Sequence, residues 1–90
     1  MAAFVIVQIE VSDPEAYEVY RTRMPPTLKL FGGEYLVRGG AMEILEGQWP
    51  HPRCVVLKFP TMDQAKAWYA SADYEEAKSL RQASSDANMI

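Results

Sequence analysis

Apolar and polar residues alternate along residues 3–11, at the start of the chain. One set of positions is wholly apolar, while the other set changes from Phe4 and Ile6 to Gln8 and Glu10. This period of two is typical of a β-strand, whose successive side chains point to opposite faces of a sheet. We therefore predict a strand with one face beneath helices and a second face that is apolar at one end and polar at the other. The positions assigned to the helix side are Ala3, Val5, Val7, Ile9 and Val11.

The spacing of apolar residues changes to that of a helix over residues 12–31. Ser12 and Glu15 are separated as in a capping box, and Pro14 stands where a missing N–H costs little. Apolar residues then recur every three or four positions, which predicts one buried stripe along the helix. The stripe consists of Ala16, Tyr17, Tyr20, Met24, Leu28 and Phe31.

Two prolines and two glycines interrupt this pattern. Pro25-Pro26 removes backbone hydrogen bonds, but the apolar stripe continues beyond it, so we expect a kink instead of an end. Gly32-Gly33 is expected to end the helix, because glycine adopts a left-handed conformation at little cost.

Residues 34–46 are predicted to be extended, with Gly39-Gly40 in the middle. The two glycines could form a tight hairpin turn or a bulge that bends one long strand. We favour the bulge, since "EGQWPHP" (46–52) is already a suitable loop into the next strand, residues 54–59. Val55, Leu57 and Phe59 fall on one side of that strand, and Cys54, Val56 and Lys58 fall on the other.

The remainder of the chain predicts two helical segments and a short strand. Thr61 and Gln64 form a second capping box, Asp73 is placed to cap the following segment, and "ANMI" (87–90) suits a short terminal strand. The order of elements is therefore strand, helix, two strands, helices and strand. This order indicates an α+β fold of the ferredoxin-like βαββαβ type, an antiparallel sheet with helices on one face only.

Length and composition fit one small domain spanning residues 1–90, without an internal repeat or linker. The net charge of −3 and the pI of about 5.0 disfavour nucleic acid and anionic membrane surfaces, which attract basic proteins. Cys54 is the only cysteine, so there is no internal disulfide and no thiolate cluster for a metal, and we expect no cofactor. The apolar start lacks the basic region of a signal peptide, which favours a cytoplasmic location.

The face without helices carries Phe4, Ile6 and Val56, which so short a chain cannot cover by itself. Pairing with a second copy is the commonest solution, so we predict a homodimer built from the two helix-free faces. The paired sheets would form a dimeric α/β barrel with room for a small organic ligand near its polar ends.

Arg38, directly before Gly39-Gly40, is the leading candidate for a binding residue. A bulge could turn its guanidinium towards the cavity between the sheets, where it could hold a carboxylate through two hydrogen bonds. The alternative is a structural ion pair with Glu10, Glu43 or Glu46. In both cases we expect a largely buried side chain close to an acid or an anion, since burying the charge unpaired is costly.

Three further candidates lie in residues 46–51. Glu46 could be a general base if desolvated, but a glutamate at a strand end is more often solvated or paired with an arginine such as Arg53. Trp49 could cap a pocket or cover the sheet edge. His51, the only histidine, has suitable chemistry for proton transfer, but it lies between two prolines, so an exposed position is the favoured interpretation. No catalytic residue is assigned, and the candidate pocket is completed by Glu10, Phe4 and Ile6.

Several motifs resemble a known family. "YLVRGG" (35–40), "EILEG" followed by Trp49, "VVLKFPTM" (55–62), "AWYASADY" (67–74) and "LR" (80–81) are similar, in order and over nearly the whole chain, to the family catalogued as domain of unknown function 1330. The resemblance implies the fold and dimerisation of the dimeric α/β-barrel superfamily, which also holds cofactor-free monooxygenases and muconolactone-isomerase-like enzymes. It implies no activity. Many relatives continue beyond the position of Ile90 to Val-Glu-Gly, and they commonly carry Glu at the position of Lys58.

Two functions follow from these patterns. The first is a homodimeric small-molecule-binding domain with a pocket between the two sheets. The second is a cofactor-independent enzyme of the monooxygenase or isomerase kind, acting on a small anionic or aromatic substrate, which rests on superfamily analogy. A titratable side chain within hydrogen-bond reach of Arg38 would favour the enzyme. A third possibility is dimerisation alone, with the cavity filled by side chains.

Overall fold

The computed structural model describes all 90 residues. Its strands are β1 (Ala3–Val11), β2 (Glu34–Arg38), β3 (Arg53–Phe59) and β4 (Ser85–Met89), and its helices are α1 (Pro14–Leu30), α2 (Met62–Ala70) and α3 (Ala72–Ser84). The strands form one sheet in the order β2-β3-β1-β4, and every neighbouring pair is antiparallel. The predicted α+β, ferredoxin-like arrangement is therefore confirmed. None of the three helices is long and apolar enough to cross a lipid bilayer.

The core lies between the sheet and the helices. Strands β1 and β3 place apolar residues directly opposite each other, with Val7 paired to Val55 and Val5 paired to Leu57. The alternating apolar positions of both strands therefore meet on one face of the sheet. Trp68 on α2 and Tyr74 on α3 close this core from above, with ring centroids 4.1 Å apart and no exposed surface. The indole of Trp68 donates its N–H to the hydroxyl of Thr27 at 3.1 Å, which satisfies its only polar group.

The start of α1 differs by one residue from the predicted cap. The carboxylate of Asp13, not the hydroxyl of Ser12, accepts the N–H of Ala16 at 3.3 Å. Ser12 instead donates its backbone N–H to the carbonyl of Ser84 at 2.8 Å, at the junction of α3 and β4. A similar correction applies to α3, where Ser71 rather than Asp73 caps the helix by accepting the N–H of Tyr74. The Thr61–Gln64 cap of α2 is confirmed.

Helix α1 continues through Pro25 and Pro26 and ends at Leu30, as its apolar stripe predicts. Gly32 then adopts a φ of 74°, and Gly33 donates its N–H to the carbonyl of Leu28 at 2.9 Å, which satisfies one of the last helical carbonyls. The predicted end at the two glycines is thus confirmed.

The segment after α1 departs most from the expected structure. Strand β2 ends at Arg38, and residues 39–52 have no regular structure, whereas an extended segment to residue 46 was predicted. The bulge lies at Leu36, where the register with β3 shifts, and not at Gly39-Gly40. As a result of the shift, Val37 pairs with Val56 and Arg38 pairs with Val55. Because Val55 belongs to the core, Arg38 lies on the helix side of the sheet.

The opposite face of the sheet has no covering layer of helices. The Cα atoms span 33 × 32 × 17 Å, and the short dimension accommodates one sheet and one layer of helices. Phe4 and Val37 are 51% and 41% exposed on this helix-free face. Ile90 lies just beyond the end of β4, forms backbone hydrogen bonds with Ile6 and is 82% exposed. The predicted division of β1 and β3 into a covered and an uncovered face is therefore present in the single chain.

Candidate functional site

The pocket with the most distinctive chemistry lies beneath α1, on the helix-covered side of the sheet. Nine of its twelve lining residues are hydrophobic, and the other three are Arg21, Arg38 and Arg53. The pocket is small, with a cavity volume of about 20 Å³. That room corresponds to roughly one water. The site therefore differs from the predicted one, which was placed between the two sheets of a dimer.

Arg38 is held by a carbonyl group that a proline leaves free. Pro25 has no N–H, so the carbonyl of Arg21, four residues earlier, has no partner within the helix. The guanidinium of Arg38 donates to that carbonyl at 3.3 Å and stacks over the ring of Tyr35, 4.5 Å from its centre. The bond ties the end of β2 to the middle of α1 across one side of the pocket.

This arrangement overturns the expected environment of Arg38. The side chain is exposed, and no carboxylate lies within 4.0 Å of it. The predicted ion pair with Glu10, Glu43 or Glu46 is wrong, because the register shift at Leu36 turns Arg38 to the helix side of the sheet. Its proposed part in holding a ligand is not tested by this geometry.

Arg53, at the start of β3, depends on a neighbouring glycine for its position. Its guanidinium donates to the carbonyl of Arg38 at 3.5 Å and lies 6.0 Å from the centre of the Tyr17 ring. A Cβ atom placed on Gly39 would lie 2.8 Å from Nη1 and 2.9 Å from Cζ of Arg53. Gly39 has a φ of 81°, so it combines a left-handed conformation with close approach to the guanidinium. Arg53 therefore occupies space that any larger residue at position 39 would take.

The third guanidinium, that of Arg21, is paired on one side only. Its Nη1 lies 3.2 Å from the carboxylate of Glu18, one turn earlier on α1. The Nε atoms of Arg21 and of Arg53 are buried and have no hydrogen-bond partner. Buried donors are normally satisfied, so these two N–H groups leave an unmet demand for an acceptor.

Tyrosine hydroxyl groups supply further polar contacts beside the pocket. Tyr20 and Tyr35 both line it, and burial raises the pKa of each phenol, which keeps both neutral. The hydroxyl of Tyr20 lies 3.2 Å from that of Tyr74, which in turn accepts the Nε–H of Arg81 at 3.4 Å. Arg81 is only 5% exposed, so a fourth cation lies behind this wall of the pocket. The lining can donate hydrogen bonds to an anion, but it contains no carboxylate and no imidazole.

His51 does not line this pocket and lies at the polar end of the helix-free face. It is 8% exposed, which contradicts the predicted exposed position. Its Nδ1 is 3.7 Å from the carboxylate of Glu10, and its Nε2 is 3.7 Å from that of Asp86. Glu10 and Asp86 are directly opposed on β1 and β4, so the imidazole ring lies between two acidic side chains. The two carboxylates face opposite ring nitrogens and cannot join His51 around one metal ion.

The remaining predicted site residues are not part of the arginine pocket. Trp49 is 40% exposed and borders two open depressions in the 39–52 loop, one beside Glu46 and one beside His51. Glu46 is exposed and forms no ion pair with Arg53. Phe4 and Ile6 lie on the helix-free face of β1. Arg38 is thus the only predicted site residue that lines the pocket beneath α1.

Sequence reasoning missed Arg21, Arg53 and the tyrosines as pocket residues. One signal was present: the missing N–H of Pro25 leaves the carbonyl of residue 21 free, and a nearby donor is needed to satisfy it. Tyr17 and Tyr20 were assigned to a buried stripe, which is correct, but the stripe also forms a wall of the pocket.

The comparison with family models decides the affiliation of the chain. Residues 2–90 match the model of the family described as Domain of unknown function (DUF1330). The chain belongs to this family. No curated protein matches it at a significant level.

Solved structures similar to this DUF1330 chain share its fold. A protein of unknown function from Rhodopseudomonas palustris has a TM-score of 0.81 at 19% identity, over 99% of this chain and 78% of that one. A dimeric ferredoxin-like protein of unknown function from Jannaschia sp. CCS1 has a TM-score of 0.68 at 12% identity, over 100% and 96%. SnoaB, a cofactor-independent oxygenase from Streptomyces nogalater, has a TM-score of 0.65 at 12% identity, over 99% and 88%. At these identities the likeness concerns the fold alone.

Proposed function

We propose that this DUF1330 protein is a homodimeric small-molecule-binding domain, with one ligand pocket beneath α1 in each protomer. One observation carries the proposal: a pocket lined by nine hydrophobic residues also presents the side chains of Arg21, Arg38 and Arg53. An apolar wall with a few convergent polar groups is the usual composition of a small-molecule site. Two buried guanidinium N–H groups without partners add an unmet demand for hydrogen bonds.

The helix-free face supports the dimeric part of the proposal. Phe4, Val37 and Ile90 leave apolar surface open on a slab with a single helix layer. A second copy placed face to face would bury this surface and complete the antiparallel sandwich of two sheets. The dimeric ferredoxin-like protein from Jannaschia sp. provides a fold-level analogy for this assembly.

Binding can be tested by following backbone amide signals in NMR spectra while small acidic, neutral and basic organic compounds are added. The proposal expects at least one class of compound to shift a contiguous set of signals around Gly39, Arg53 and Val55. Shifts confined to the helix-free face, or no saturable shift with any class, would contradict it. The latter result would favour dimerisation alone, with the narrow pocket filled by its own side chains.

A cofactor-independent enzyme is the second candidate. The fold-level likeness to SnoaB, a cofactor-independent oxygenase, favours it. It has less support because general-base chemistry needs a group that can accept a proton near neutral pH, and the lining offers only arginines and neutral phenols with raised pKa values. Consumption of dissolved oxygen, or turnover of a lactone, by the purified protein with compounds that bind in the pocket would favour the enzyme over a binding domain.

A further inference from the structure

The charge around the pocket is opposite to that of the chain as a whole. The protein carries a net charge of −3, yet three arginines and no acidic residue line the space beneath α1. Glu18, which does not line the pocket, forms an ion pair with the guanidinium of Arg21. Arg38 and Arg53 have no carboxylate within 4.0 Å. Clustered like charges repel each other, so an arrangement of this kind is favourable chiefly when an anion joins it.

We infer that the pocket binds a small organic acid through its carboxylate, and that Gly39 is the residue that seats Arg53 for this contact. The inference rests on the proposed small-molecule function and names the class of ligand. A guanidinium offers two parallel N–H groups in a plane, which matches the geometry of a carboxylate. The hydrophobic lining fits the body of an organic acid better than it fits an inorganic anion, which would leave that wall without a partner.

Arg38 lines the small space that such a ligand must enter. In this structure the pocket has space for about one water, and the Arg38 side chain reaches along one side of it to the carbonyl of Arg21. That contact is a single hydrogen bond at 3.3 Å made by an exposed side chain. Exposed side chains change rotamer rapidly, so Arg38 can swing away as a ligand enters and then contact the ligand carboxylate.

Gly39 and Gly40 differ in how closely they approach the guanidinium of Arg53. A Cβ on Gly39 would lie within 2.9 Å of two atoms of the Arg53 guanidinium, whereas a Cβ on Gly40 would meet no atom within 4 Å. Both glycines have positive φ values, 81° and 107°, so alanine is strained at either position. The two substitutions therefore share a backbone cost and differ in whether Arg53 is displaced.

The first experiment measures the dissociation constants of benzoate, benzamide and inorganic phosphate by NMR titration at constant ionic strength. Benzoate and benzamide have the same flat body, and only benzoate carries a charge. We expect benzoate to bind in the pocket at least about tenfold more tightly than benzamide, and inorganic phosphate to bind more weakly than benzoate. Equal affinity of benzoate and benzamide would overturn the assignment of an acid, and tighter binding of phosphate would overturn the assignment of an organic body.

The second experiment compares Gly39→Ala with Gly40→Ala, using benzoate as the probe. We expect Gly39→Ala to weaken benzoate binding about tenfold, and Gly40→Ala to leave it within about twofold of the wild type. Both variants are checked for a folded amide spectrum and for their thermal midpoint. Equal weakening by the two substitutions would show that backbone strain, not the position of Arg53, determines affinity, and would overturn the role of Gly39.

A double-mutant cycle separates the seating of Arg53 from a general structural role of Gly39. In the Arg53→Ala background the guanidinium is absent, so adding Gly39→Ala should cause no further loss of benzoate affinity. A second loss as large as the first would contradict the inference even if Gly39→Ala alone folds poorly.

These experiments distinguish failure of the proposed binding function from failure of the inference about an organic acid. If no organic compound of any charge binds beneath α1, the proposed function fails, and the inference fails with it. If neutral compounds bind there as well as acids, or if Gly39→Ala behaves like Gly40→Ala, the binding function stands and only this inference fails.

Discussion

The two faces of the sheet, built from alternate residues of the same strands, have different environments. On β3, Leu57 is 1% exposed beneath the helices, while its neighbour Val56 is only partly buried on the other side. The covered face is completed by the chain itself and leaves a cationic pocket at one edge. The helix-free face is apolar near Phe4 and acidic near Glu10 and Asp86, and nothing within the chain covers its apolar end. We propose that the covered face serves folding and ligand contact and that the helix-free face serves association.

The largest expected effect on folding comes from the covered face. Leu57→Ala removes a fully buried side chain, so the free energy of unfolding should fall by about 2–5 kcal/mol. Val56→Ala, one residue away on the helix-free face, should lower it by a smaller amount at protein concentrations at which the chain is monomeric, because only a dimer partner would bury Val56 fully. Urea denaturation of both variants measures the difference. Similar losses at the two positions would break the distinction between the faces.

The largest expected effect on association comes from Ile6→Asp. A charge at this position would be desolvated in a face-to-face dimer, so we expect dimer affinity to fall about a hundredfold or more. Gel filtration with light scattering would detect the change in mass. As a control, Gln82→Glu adds the same charge on the exposed surface of α3 and should leave the mass unchanged. A dimer that survives Ile6→Asp would place the interface elsewhere.

A pH-dependent effect of intermediate size is expected from Tyr20 in the covered face. Burial raises the pKa of this phenol above its ordinary value of 10.0. At a pH above about 10, Tyr20 therefore stays protonated in the folded state but ionises when the chain unfolds. Its contribution is present at neutral pH and is lost as the pH rises above about 10, by about 1.4 kcal/mol per pH unit. Tyr20→Phe should lower stability by about 1 kcal/mol at pH 7, by loss of the bond to Tyr74, and should reduce that slope.

Urea denaturation between pH 7 and pH 11 measures both quantities for Tyr20. Tyr69→Phe, which removes a hydroxyl from a side chain that is 40% exposed, is the control for loss of a phenol. An unchanged slope in Tyr20→Phe would contradict the burial of this group as the source of the alkaline sensitivity.

The smallest expected effect concerns His51 on the helix-free face. The imidazole holds the 39–52 loop against Glu10 and Asp86 through contacts of 3.7 Å, which are long, and both carboxylates are largely exposed. We expect His51→Ala to change the free energy of unfolding by less than about 1 kcal/mol. It should nevertheless speed cleavage by chymotrypsin after Leu45, which is 86% exposed in the same loop. Glu43→Gln, also in the loop but without an ion pair, should leave the cleavage rate unchanged.

The fold could be predicted from the sequence because its main signals are local. The period of two in residues 3–11 and the helical stripe from Tyr17 to Leu28 each determine an element and its buried face. Errors arose where neighbouring residues are chemically equivalent. Ser12 and Asp13 are both good caps, and both donate their backbone N–H to the carbonyl of Ser84, so no local signal distinguishes them.

The site was less predictable because it depends on contacts between distant segments. Gly39-Gly40 suggested a bulge, but the bulge lies at Leu36, and Gly39 instead makes room for Arg53. The one-residue shift at Leu36 reverses the side to which Arg38 points, which no local pattern reveals. His51 is buried only because its loop folds back over β1 and β4, a tertiary contact that its two flanking prolines do not encode.

Sedimentation velocity of the wild-type protein tests most directly whether the two faces have these separate roles. The measurement covers concentrations from about one to a hundred micromolar, a range in which interfaces of ordinary size hold together. We predict a single species with twice the mass of the 90-residue chain throughout the upper part of this range. A protein that remains monomeric at tens of micromolar would contradict the assignment of the helix-free face to association.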